Sequence, residues 1–344
     1  MRRQRGEDGS ALSGQEPESM RVMAGLRPSG GLHLGNYLGA LRNMVELQDR
    51  YRCYFEIADW HVLTTGYEDT TGLRSAVEEM LLAFIGAGID PERAVVFVQS
   101  DVSEHAELAL LLGMVTPLSW LERVPTYKEQ LRELSGREIA TFGFLGYPVL
   151  QTADILAYRA EGVPVGRDQL PHLEIGREIA RRFNHLYRPV FPEPRPLLTE
   201  SPVVPGTDGR KMSKSYDNTL PLDAEPAEIR ARLRGMVTDP QKVRRNDPGH
   251  PDVCPVFTLH KALADTGAVD AIAADCRSGA LGCVDCKARL AVEVESVLAP
   301  MRERRARVRP GDVRDILAAG GGQARSEAQA TLEEMREAMR LWQG

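Results

Sequence analysis

The sequence predicts an α/β fold for most of its length, followed by a helical domain. Short β-like runs alternate with amphipathic helical stretches up to about residue 220, which is the pattern of a parallel sheet flanked by helices. Beyond that point nearly every segment has helical spacing, and none makes a convincing strand. The 344 residues, 42% of them hydrophobic, suffice to fill two domain cores.

The predicted strands are short apolar runs separated by helical stretches. The strands are Arg21–Leu26, Cys53–Trp60, Ala94–Gln99 and a segment from Val163 to Gln169 that leads into a helix. Between the first three strands, helical spacing predicts helices over residues 36–49 and 72–86. The glycine run at residues 320–322 is interpreted as a link between two helices of the last third.

The termini and the charge limit the classes of function. Residues 1–19 are polar and without hydrophobic period, so we expect a disordered extension before Met20. There is neither a secretion signal nor an apolar run long enough to cross a bilayer, which predicts a soluble, cytoplasmic protein. The net charge of −6 argues against a uniformly basic nucleic-acid-binding surface. Two basic runs, 242–245 and 302–309, are either solvated faces or nucleic-acid contacts.

A glycine-rich turn, GLRPSGGLHLGN, follows the first predicted strand. Gly30, Gly31 and Gly35 let the backbone pass close to a ligand before a helix begins. The helix N-terminus offers free N–H groups, and His33 and Asn36 add side-chain donors. The turn lacks the G-x-G-x-x-G pattern, so it is not the dinucleotide fingerprint. It predicts a phosphate site, with a merely tight turn as the alternative.

A second motif, KMSKS, occupies residues 211–215. Two lysines beside small hydroxyl residues suit a mobile phosphate clamp. Lys211 and Lys214 would neutralise charge on a pyrophosphate leaving group, while the small residues let the loop close. The alternative is a solvated surface loop.

Together, HLGN and KMSKS resemble the two ATP-binding signatures of class I aminoacyl-tRNA synthetases, and the surrounding residues are closest to tryptophanyl-tRNA synthetases. The resemblance runs from about Arg21 to the C-terminus. Its most specific pieces are GLRPSGGLHLGNYLGAL, ADWH, YPVLQTADIL, VPVGRDQ and KMSKS. It implies an α/β protein with a Rossmann-like parallel-sheet catalytic domain over residues 20–219 and a helical tRNA-anticodon-binding domain over 220–344.

The activity implied by the resemblance is that of a tryptophan–tRNA ligase. Tryptophan and ATP would give tryptophanyl-adenylate and pyrophosphate, with Mg²⁺ sharing the triphosphate charge, and the adenylate would then acylate tRNA(Trp). A homodimer is also implied. The apolar patterning around residues 108–112 would suit such an interface, although it is equally typical of a core.

The residues that the resemblance assigns to ATP lie in both motifs and beside them. Those expected to stabilise the transition state are His33, Asn36, Lys211 and Lys214. The ATP-binding set is Arg27, Ser29, Gly35, Asn36, Gly166, Asp168, Lys211, Met212, Ser213, Lys214 and Ser215.

Selection of tryptophan requires a buried acceptor, because the indole N–H is only a donor. Asp154, expected at the start of a helix, matches the indole-reading aspartate of the family, with a helix-capping role as the alternative. His61 is either a ligand-binding or a core histidine, and Asp59 has the same two possible roles. The implied tryptophan-binding set is Met23, Gly25, His61, Tyr147, Gln151, Asp154, Val163, Val165 and Gln169. Gln151 and Arg27 depart from residues common in relatives, which predicts a more polar pocket.

Four of the five cysteines lie in the helical domain: Cys254, Cys276, Cys283 and Cys286. The last two form a C-x2-C pair, which is a chelating geometry, and soft thiolates select Zn²⁺ or an iron–sulfur cluster. The pattern resembles that of tryptophanyl-tRNA synthetases carrying a [4Fe-4S] cluster. Four reduced, unliganded thiols in a helical core are the alternative.

Two other functions stay open at this level. A tyrosyl-tRNA synthetase shares the architecture and both ATP motifs, although ADIL and VPVGRDQ favour tryptophan. A noncatalytic paralogue that binds tRNA or protein would have no need of the two clamp lysines.

Overall fold

A parallel five-stranded sheet forms the centre of the computed structural model, which describes residues 20–124, 140–198 and 204–342. The strands are β1 Arg21–Leu26, β2 Arg52–Ile57, β3 Val95–Val98, β4 Gly162–Val165 and β5 Arg195–Leu198. Their order is β3-β2-β1-β4-β5. The chain therefore turns from one half of the sheet to the other between β1 and β4, and ligands bind in open parallel sheets outside the carboxyl ends at such a point.

Helices cover both faces of this sheet. They are α1 (Leu34–Asn36, a π-helical turn Tyr37–Leu41, and Arg42–Gln48), α2 Asp59–Gly66, α3 Leu73–Ala87, α4 Glu104–Val115, α5 Leu118–Glu122, α6 Phe142–Ala157 and α7 Leu170–Leu186. Two hydrophobic cores lie on opposite faces of the sheet, and neighbouring residues of β1 point into different ones. Val22 packs in the core beneath α1 and α3, and Met23 packs in the core beneath α4, α6 and α7. Burial on both faces explains why the strands read as continuous apolar runs.

The part of the chain after residue 223 is helical in the structure, as predicted. It contains α8 Pro226–Gly235, α9 Pro255–Leu263, α10 Thr266–Ser278, α11 Cys283–Ala306 and α12 Pro310–Ala338. The α/β class with a helical C-terminal part is confirmed. The boundary near residue 220 stays a prediction, and the expected extension over residues 1–19 lies outside the described residues.

The strands depart from the sequence prediction in two places. β2 ends at Ile57, earlier than predicted, because Asp59 already begins α2. β5 was not predicted. It is four residues long, contains Pro196 and pairs only with β4 at the sheet edge, where a proline is tolerated.

The glycine run at residues 320–322 is not a link, so that interpretation was wrong. It lies inside the continuous helix α12, which packs against the edge strand β3. A Cβ built on Gly320 would come within 1.8 Å of the Val96 carbonyl oxygen. Gly320 therefore lets a helix backbone approach the open edge of the sheet and cover it.

We expect Gly320→Ala to destabilise the protein, because its methyl group has no room against β3. Overpacking of this kind costs about 1–3 kcal/mol or more. The matched control is Gly322→Ala in the same helix, where a Cβ meets nothing within 4 Å. That change should stabilise the helix by about 0.5–1 kcal/mol. Urea unfolding of both variants tests the pair, and equal free energies of unfolding would contradict the close approach.

The basic run at residues 302–309 joins the two parts of the chain. Arg304 Nε donates to the Gly86 carbonyl oxygen at 2.8 Å, and Arg305 forms an ion pair with Glu79 at 2.6 Å. Arg302 contacts the Ala224 carbonyl oxygen. These arginines bind α11 to α3 and to the segment before α8, so they are not a freely solvated face. Within the described ranges, no helix has the length and apolar character needed to span a membrane.

Candidate active site

A cavity of about 380 Å³ opens at the carboxyl ends of β1 and β4. Its position is the one at which open parallel sheets bind ligands. All the residues predicted to bind tryptophan line it: Met23, Gly25, His61, Tyr147, Gln151, Asp154, Val163, Val165 and Gln169. Two of the predicted ATP residues, Arg27 and Gly166, lie on the same wall. The sheet thus brings distant segments of the sequence around one space.

Asp154 lies near the C-terminal end of α6, not at the start of a helix as predicted. The helix begins twelve residues earlier, at Phe142, because the Thr141 side chain accepts a hydrogen bond from the Phe144 N–H and caps it. Nothing in the TADIL segment itself indicates that the helix begins so far upstream. The helix-cap alternative for Asp154 is thereby excluded, since the residue lies twelve positions into its helix and its carboxylate bonds the side chains of His61, Gln99 and His105 at the cavity.

Three buried side chains donate hydrogen bonds to the Asp154 carboxylate. His61 Nε2 lies 2.8 Å from Oδ2, His105 Nδ1 lies 2.8 Å from Oδ1, and Gln99 Nε2 lies 2.9 Å from Oδ1. Asp154 itself is only 2% exposed. Gln99 Nε2 also lies 3.1 Å from Oδ2, so this amide is shared between both carboxylate oxygens. A carboxylate offers about four acceptor positions, so a further donor would compete with this longer Gln99 contact.

This network has a definite charge distribution. Burial would raise the pKa of Asp154, but the hydrogen bonds from His105 and His61 lower it to about 2. Burial would likewise lower the pKa of His105, but its bonds to Asp154 and the charge of Glu56 help to raise it to about 9. His105 is therefore an imidazolium, and its second nitrogen, Nε2, donates to the Tyr158 hydroxyl at 2.6 Å. At neutral pH, Asp154 is an ionised acceptor fixed on two sides.

The opposite wall carries further polar groups. The Tyr147 hydroxyl forms a hydrogen bond with His172 Nε2, and His172 Nδ1 lies 3.0 Å from Gln169 Oε1. The Tyr147 ring stands edge-on to His61, with centroids 6.4 Å apart. Gln151 Oε1 is buried, and no residue that the structure describes donates a hydrogen bond to it.

The HLGN turn forms the start of α1. Asn36 Oδ1 accepts the His33 backbone N–H at 3.0 Å, so the asparagine caps the helix from inside its first turn. His33 is buried, and burial together with the nearby charge of Lys214 lowers its pKa to about 4. Among the described residues, none forms a hydrogen bond with His33 Nδ1. A Cβ on Gly35 would lie 3.0 Å from that nitrogen, so glycine leaves the imidazole room.

The KMSKS segment lies directly against this turn. Lys214 Nζ donates to the Ser29 carbonyl oxygen at 2.9 Å, and burial lowers its pKa. Met212 is buried beside Gly35, whereas Lys211, Lys214 and Ser215 are exposed. The two motifs are some two hundred residues apart in the sequence and adjacent in space.

A buried asparagine shapes the KMSKS segment. Asn218 Oδ1 accepts the Ser213 N–H at 2.8 Å, and its amide nitrogen donates to Asp208 at 2.6 Å and to the Lys211 carbonyl oxygen at 3.2 Å. Gly206 makes room for it, because a Cβ there would come within 2.3 Å of Asn218. This residue was not predicted from the sequence.

The predicted ATP residues therefore occupy two neighbouring places. Arg27 and Gly166 line the cavity, while Ser29, Gly35, Asn36 and residues 211–215 belong to the two contacting motifs outside it. Asp168 lies in the short helix Arg167–Gln169 at the cavity mouth, and its side chain is outside the described part of the structure.

The four cysteines of the helical domain also converge. Cys254 precedes α9, Cys276 lies in α10, and the C-x2-C pair forms the first turn of α11. Together they line a small cavity of about 20 Å³. Burial, together with the charges of the other three thiols, raises the pKa of the Cys286 thiol to about 12. His260 Nε2 lies 3.4 Å from Cys286 Sγ, and the chain packs so tightly here that a Cβ on Gly249 would lie 2.6 Å from Cys276 Sγ.

The sulfur spacing is wide. Among the described His, Cys, Asp and Glu side chains, the one trio whose ligand atoms all lie within 4.8 Å of one another is Glu56, His105 and Asp154. No three of the four sulfurs are that close together. A tetrahedral zinc site, with Zn–S bonds of about 2.3 Å, would place its sulfurs about 3.8 Å apart.

Comparison with known proteins decides the family. A model described as tRNA synthetases class I (W and Y) matches residues 15–299. The tryptophan–tRNA ligase of Thermotoga maritima is 49% identical over 94% of this chain and 99% of its own length. That of Aquifex aeolicus is 45% identical over 94% and 100%. The chain belongs to the class I tRNA synthetases of the tryptophan and tyrosine group.

A solved structure agrees with this family. The tryptophanyl-tRNA synthetase of Campylobacter jejuni, complexed with ADP and tryptophan, matches with a TM-score of 0.84 at 35% identity, covering 94% of this chain and 100% of that one. The parallel sheet, the HLGN turn and the KMSKS segment are thus parts of a class I synthetase.

Several residues of this synthetase site were missed in the sequence analysis. Gln99 and His105 follow β3, and Glu56 lies within β2, yet all three meet Asp154 or its partners. Glu56 did give a signal, because a single carboxylate inside an apolar strand is rarely buried without a reason. Gln99 and His105 gave none, since only the fold of the synthetase places them beside α6.

Proposed function

We propose that the chain is a tryptophan–tRNA ligase that uses the described cavity for tryptophan and the HLGN–KMSKS contact for ATP. The observation that carries the proposal is the buried, ionised Asp154 on the cavity wall, which three donor side chains hold in place. An indole N–H is only a donor and requires such an acceptor, for which it would compete with the longer Gln99 contact. The names of the relatives point to the same amino acid.

Tryptophan would lie between the sheet and α6. Met23, Val163 and Val165 supply apolar contacts for the ring, and Gly25 leaves space above the strand. The polar end of the amino acid would meet Tyr147 and Gln169 on the opposite wall, with Gln151 nearby and His61 holding Asp154 in place. Leaving the indole N–H unpaired would cost about 1–3 kcal/mol, which is the basis of selection.

ATP would lie across the two motifs. The positive end of α1, with His33 and Asn36, would face one side of the triphosphate, and Lys211 and Lys214 would face the other. The backbone N–H groups of His33, Leu34 and Asn36 already have partners within the protein, so the side chains and the helix dipole carry this contact. Arg27, Ser29, Gly35, Gly166, Asp168, Met212, Ser213 and Ser215 complete the proposed ATP set. Mg²⁺ supplies further neutralisation of the triphosphate when bound.

The reaction needs positioning more than covalent chemistry by the protein. A carboxylate oxygen of tryptophan attacks the α-phosphorus of ATP, a new P–O bond forms, and the bond to pyrophosphate breaks in line. Negative charge grows on the leaving pyrophosphate, where the two lysines stabilise it. His33 stays neutral at physiological pH because its pKa is lowered to about 4. It therefore acts as a hydrogen-bonding group and not as a charge. The adenylate then acylates the terminal ribose of tRNA(Trp).

Each proposed domain would have its own function. Residues 20–219 would carry the chemistry, and residues 220–344 would bind the tRNA anticodon. The exposed apolar side chains Leu110, Met114, Leu118 and Phe142 form a surface suited to a homodimer, whereas Leu108 and Leu112 are core. The solution mass, by light scattering, tests the dimer. We place the enzyme in the cytoplasm, where tRNA is charged.

Cys254, Cys276, Cys283 and Cys286 would hold a [4Fe-4S] cluster. Their convergence fits a thiolate-ligated group, and a sulfur spacing wider than that of tetrahedral zinc favours the cluster over Zn²⁺. Such a group would tie α9, α10 and α11 together near the proposed anticodon-binding surface, which makes its role structural.

Anaerobically purified protein should contain iron and acid-labile sulfide in equal amounts. We expect Cys286→Ser to remove most of both, because one of the ligands is lost. The matched control is Cys53→Ser, which changes the buried cysteine of β2 far from the cluster residues. Protein that is metal-free yet fully folded and active, or that holds zinc alone, would contradict the cluster.

Amino-acid-dependent exchange of pyrophosphate into ATP, run with all twenty amino acids, tests the function. Tryptophan alone should support rapid exchange. Rapid exchange with tyrosine would identify the tyrosyl enzyme instead, and no exchange with any amino acid would indicate a noncatalytic paralogue.

A further inference from the structure

His172 connects two polar side chains of the amino-acid cavity. It lies in the first turn of α7, is 4% exposed, and lines the cavity together with Tyr147 of α6 and Gln169, which immediately precedes α7. The Tyr147 hydroxyl forms a hydrogen bond with His172 Nε2 and also lies 3.3 Å from Nδ1. His172 Nδ1 lies 3.0 Å from Gln169 Oε1. The three side chains therefore form one connected group that joins α6 to α7.

The chemistry of the two partners determines which nitrogen of His172 carries the hydrogen. The carbonyl oxygen of Gln169 can only accept, so its contact requires an N–H at His172 Nδ1. In the neutral imidazole, Nε2 is then an acceptor, and the Tyr147 hydroxyl donates its O–H to it. The histidine thus directs the hydroxyl hydrogen of Tyr147 toward itself and holds Gln169 by its oxygen.

The position of this group relates it to one end of the substrate. Tyr147 and Asp154 both line the cavity and are seven residues apart in α6, which places them about 10 Å apart along the helix axis. An amino acid whose ring donates to Asp154 would therefore place its α-carbon end near Tyr147 and Gln169. The α-ammonium group there has N–H donors and no acceptor. A hydroxyl hydrogen or an amide NH₂ group turned toward it would repel it.

We infer that His172 is a positioning residue for amino-acid recognition, which keeps the Tyr147 hydroxyl oxygen and Gln169 Oε1 oriented as acceptors for the α-ammonium group. The inference rests on the proposed function, which assigns the polar end of tryptophan to Tyr147 and Gln169. Either side chain alone could turn a donor toward the substrate, since a tyrosine hydroxyl and a glutamine amide are both donors and acceptors. His172, with one donor and one acceptor, selects the acceptor orientation of both.

The experiment compares the dissociation constants of tryptophan and of indole-3-propionate, which is tryptophan without its amino group. Wild type is compared with His172→Phe, which keeps an aromatic ring without hydrogen-bonding groups, and with His172→Gln, which restores one donor and one acceptor. We expect His172→Phe to weaken tryptophan binding about tenfold and indole-3-propionate binding less than about twofold. His172→Gln should recover most of the loss.

Two further measurements separate positioning from other roles. In pyrophosphate exchange, His172→Phe should raise the KM for tryptophan and leave kcat within about twofold, because the ammonium group is unchanged by the reaction. In a protein that already carries Tyr147→Phe and Gln169→Leu, adding His172→Phe should change tryptophan affinity less than about twofold. Residues that act through one another are not additive, and in this protein His172 has no acceptor left to position.

The inference is overturned if His172→Phe weakens tryptophan and indole-3-propionate equally, which is the result expected of a residue that only supports the cavity. It is also overturned if the full loss persists in the protein without the Tyr147 hydroxyl and the Gln169 amide. Failure of the proposed function is a separate result, because wild type would then support no tryptophan-dependent exchange.

Discussion

Replacing Lys214 by alanine is expected to lower the rate of tryptophanyl-adenylate formation by about 10²–10³-fold, the cost of removing one preorganised group that stabilises developing charge. The lysine is held by the Ser29 carbonyl oxygen and not by a carboxylate, so its charge is available to phosphate. Affinity for tryptophan should change little, because the charge that Lys214 meets grows only in the transition state. Lys211→Ala should act in the same direction. Single-turnover measurement of adenylate formation gives the rate.

Arg210→Ala is the matched control for the clamp. It removes a positive charge from the same segment, but Arg210 is paired with Asp208 at 2.6 Å and lies over the Tyr216 ring. Its loss should leave the rate within a few-fold of wild type, since exposed pairs contribute about 1 kcal/mol or less. Wild-type adenylate formation in both lysine variants would reject the clamp assignment.

The second large effect is expected at Asp154. Asp154→Ala should abolish most of the preference for tryptophan over an analogue with sulfur in place of the indole N–H. A site built to bind a donor rejects the analogue lacking it by as much as about 10⁴-fold, and that margin is lost with the acceptor. The substitution should also lower stability, because three buried donors lose their partner. The ratio of kcat/KM values for the two substrates is the readout.

Asp59→Ala is the matched control, because it removes another buried aspartate nearby. Asp59 is also buried, but its Oδ1 accepts the backbone N–H groups of Trp60 and Ser100, and the residue does not line the cavity. We expect the substrate ratio of this control to match wild type. If Asp154→Ala keeps the wild-type ratio as well, another residue binds the indole N–H.

Several central features of this site could be predicted from short stretches of the sequence. An apolar strand, a glycine-rich turn and a helix start are contiguous, so β1 and the HLGN turn could be placed from spacing alone. The chelating C-x2-C pair is similarly local. The tryptophan set, which came from resemblance, also lines the cavity, because its residues lie in β1 and β4, shortly after β2 and β4, or on α6.

The sequence-based predictions that were wrong concern residues whose structure depends on contacts with distant parts of the sequence. Gly320 looked like a linker because the reason for glycine is the β3 backbone, over two hundred residues away. β5 was missed because an edge strand needs neither length nor freedom from proline. Asp154 was placed at a helix start because the true start depends on the Thr141 cap.

The polar network around Asp154 is the clearest case of the same limit. Gln99 and His105 come from the chain after β3, and Glu56 from β2, so their meeting follows from strand order. Asn218 orders the KMSKS segment through bonds that no motif describes. Binding motifs could be predicted from the sequence, but the buried groups that hold them in place could not.

Aminoacylation tests the central claim most directly. The purified protein, given ATP, Mg²⁺ and a tRNA(Trp) transcript, should transfer radiolabelled tryptophan to the terminal ribose, and Lys214→Ala should slow that transfer. Labelled tyrosine and a tRNA(Tyr) transcript should give no product. Charging of tRNA(Tyr) with tyrosine, or no charging of either tRNA by protein that is folded and binds ATP, would contradict the account.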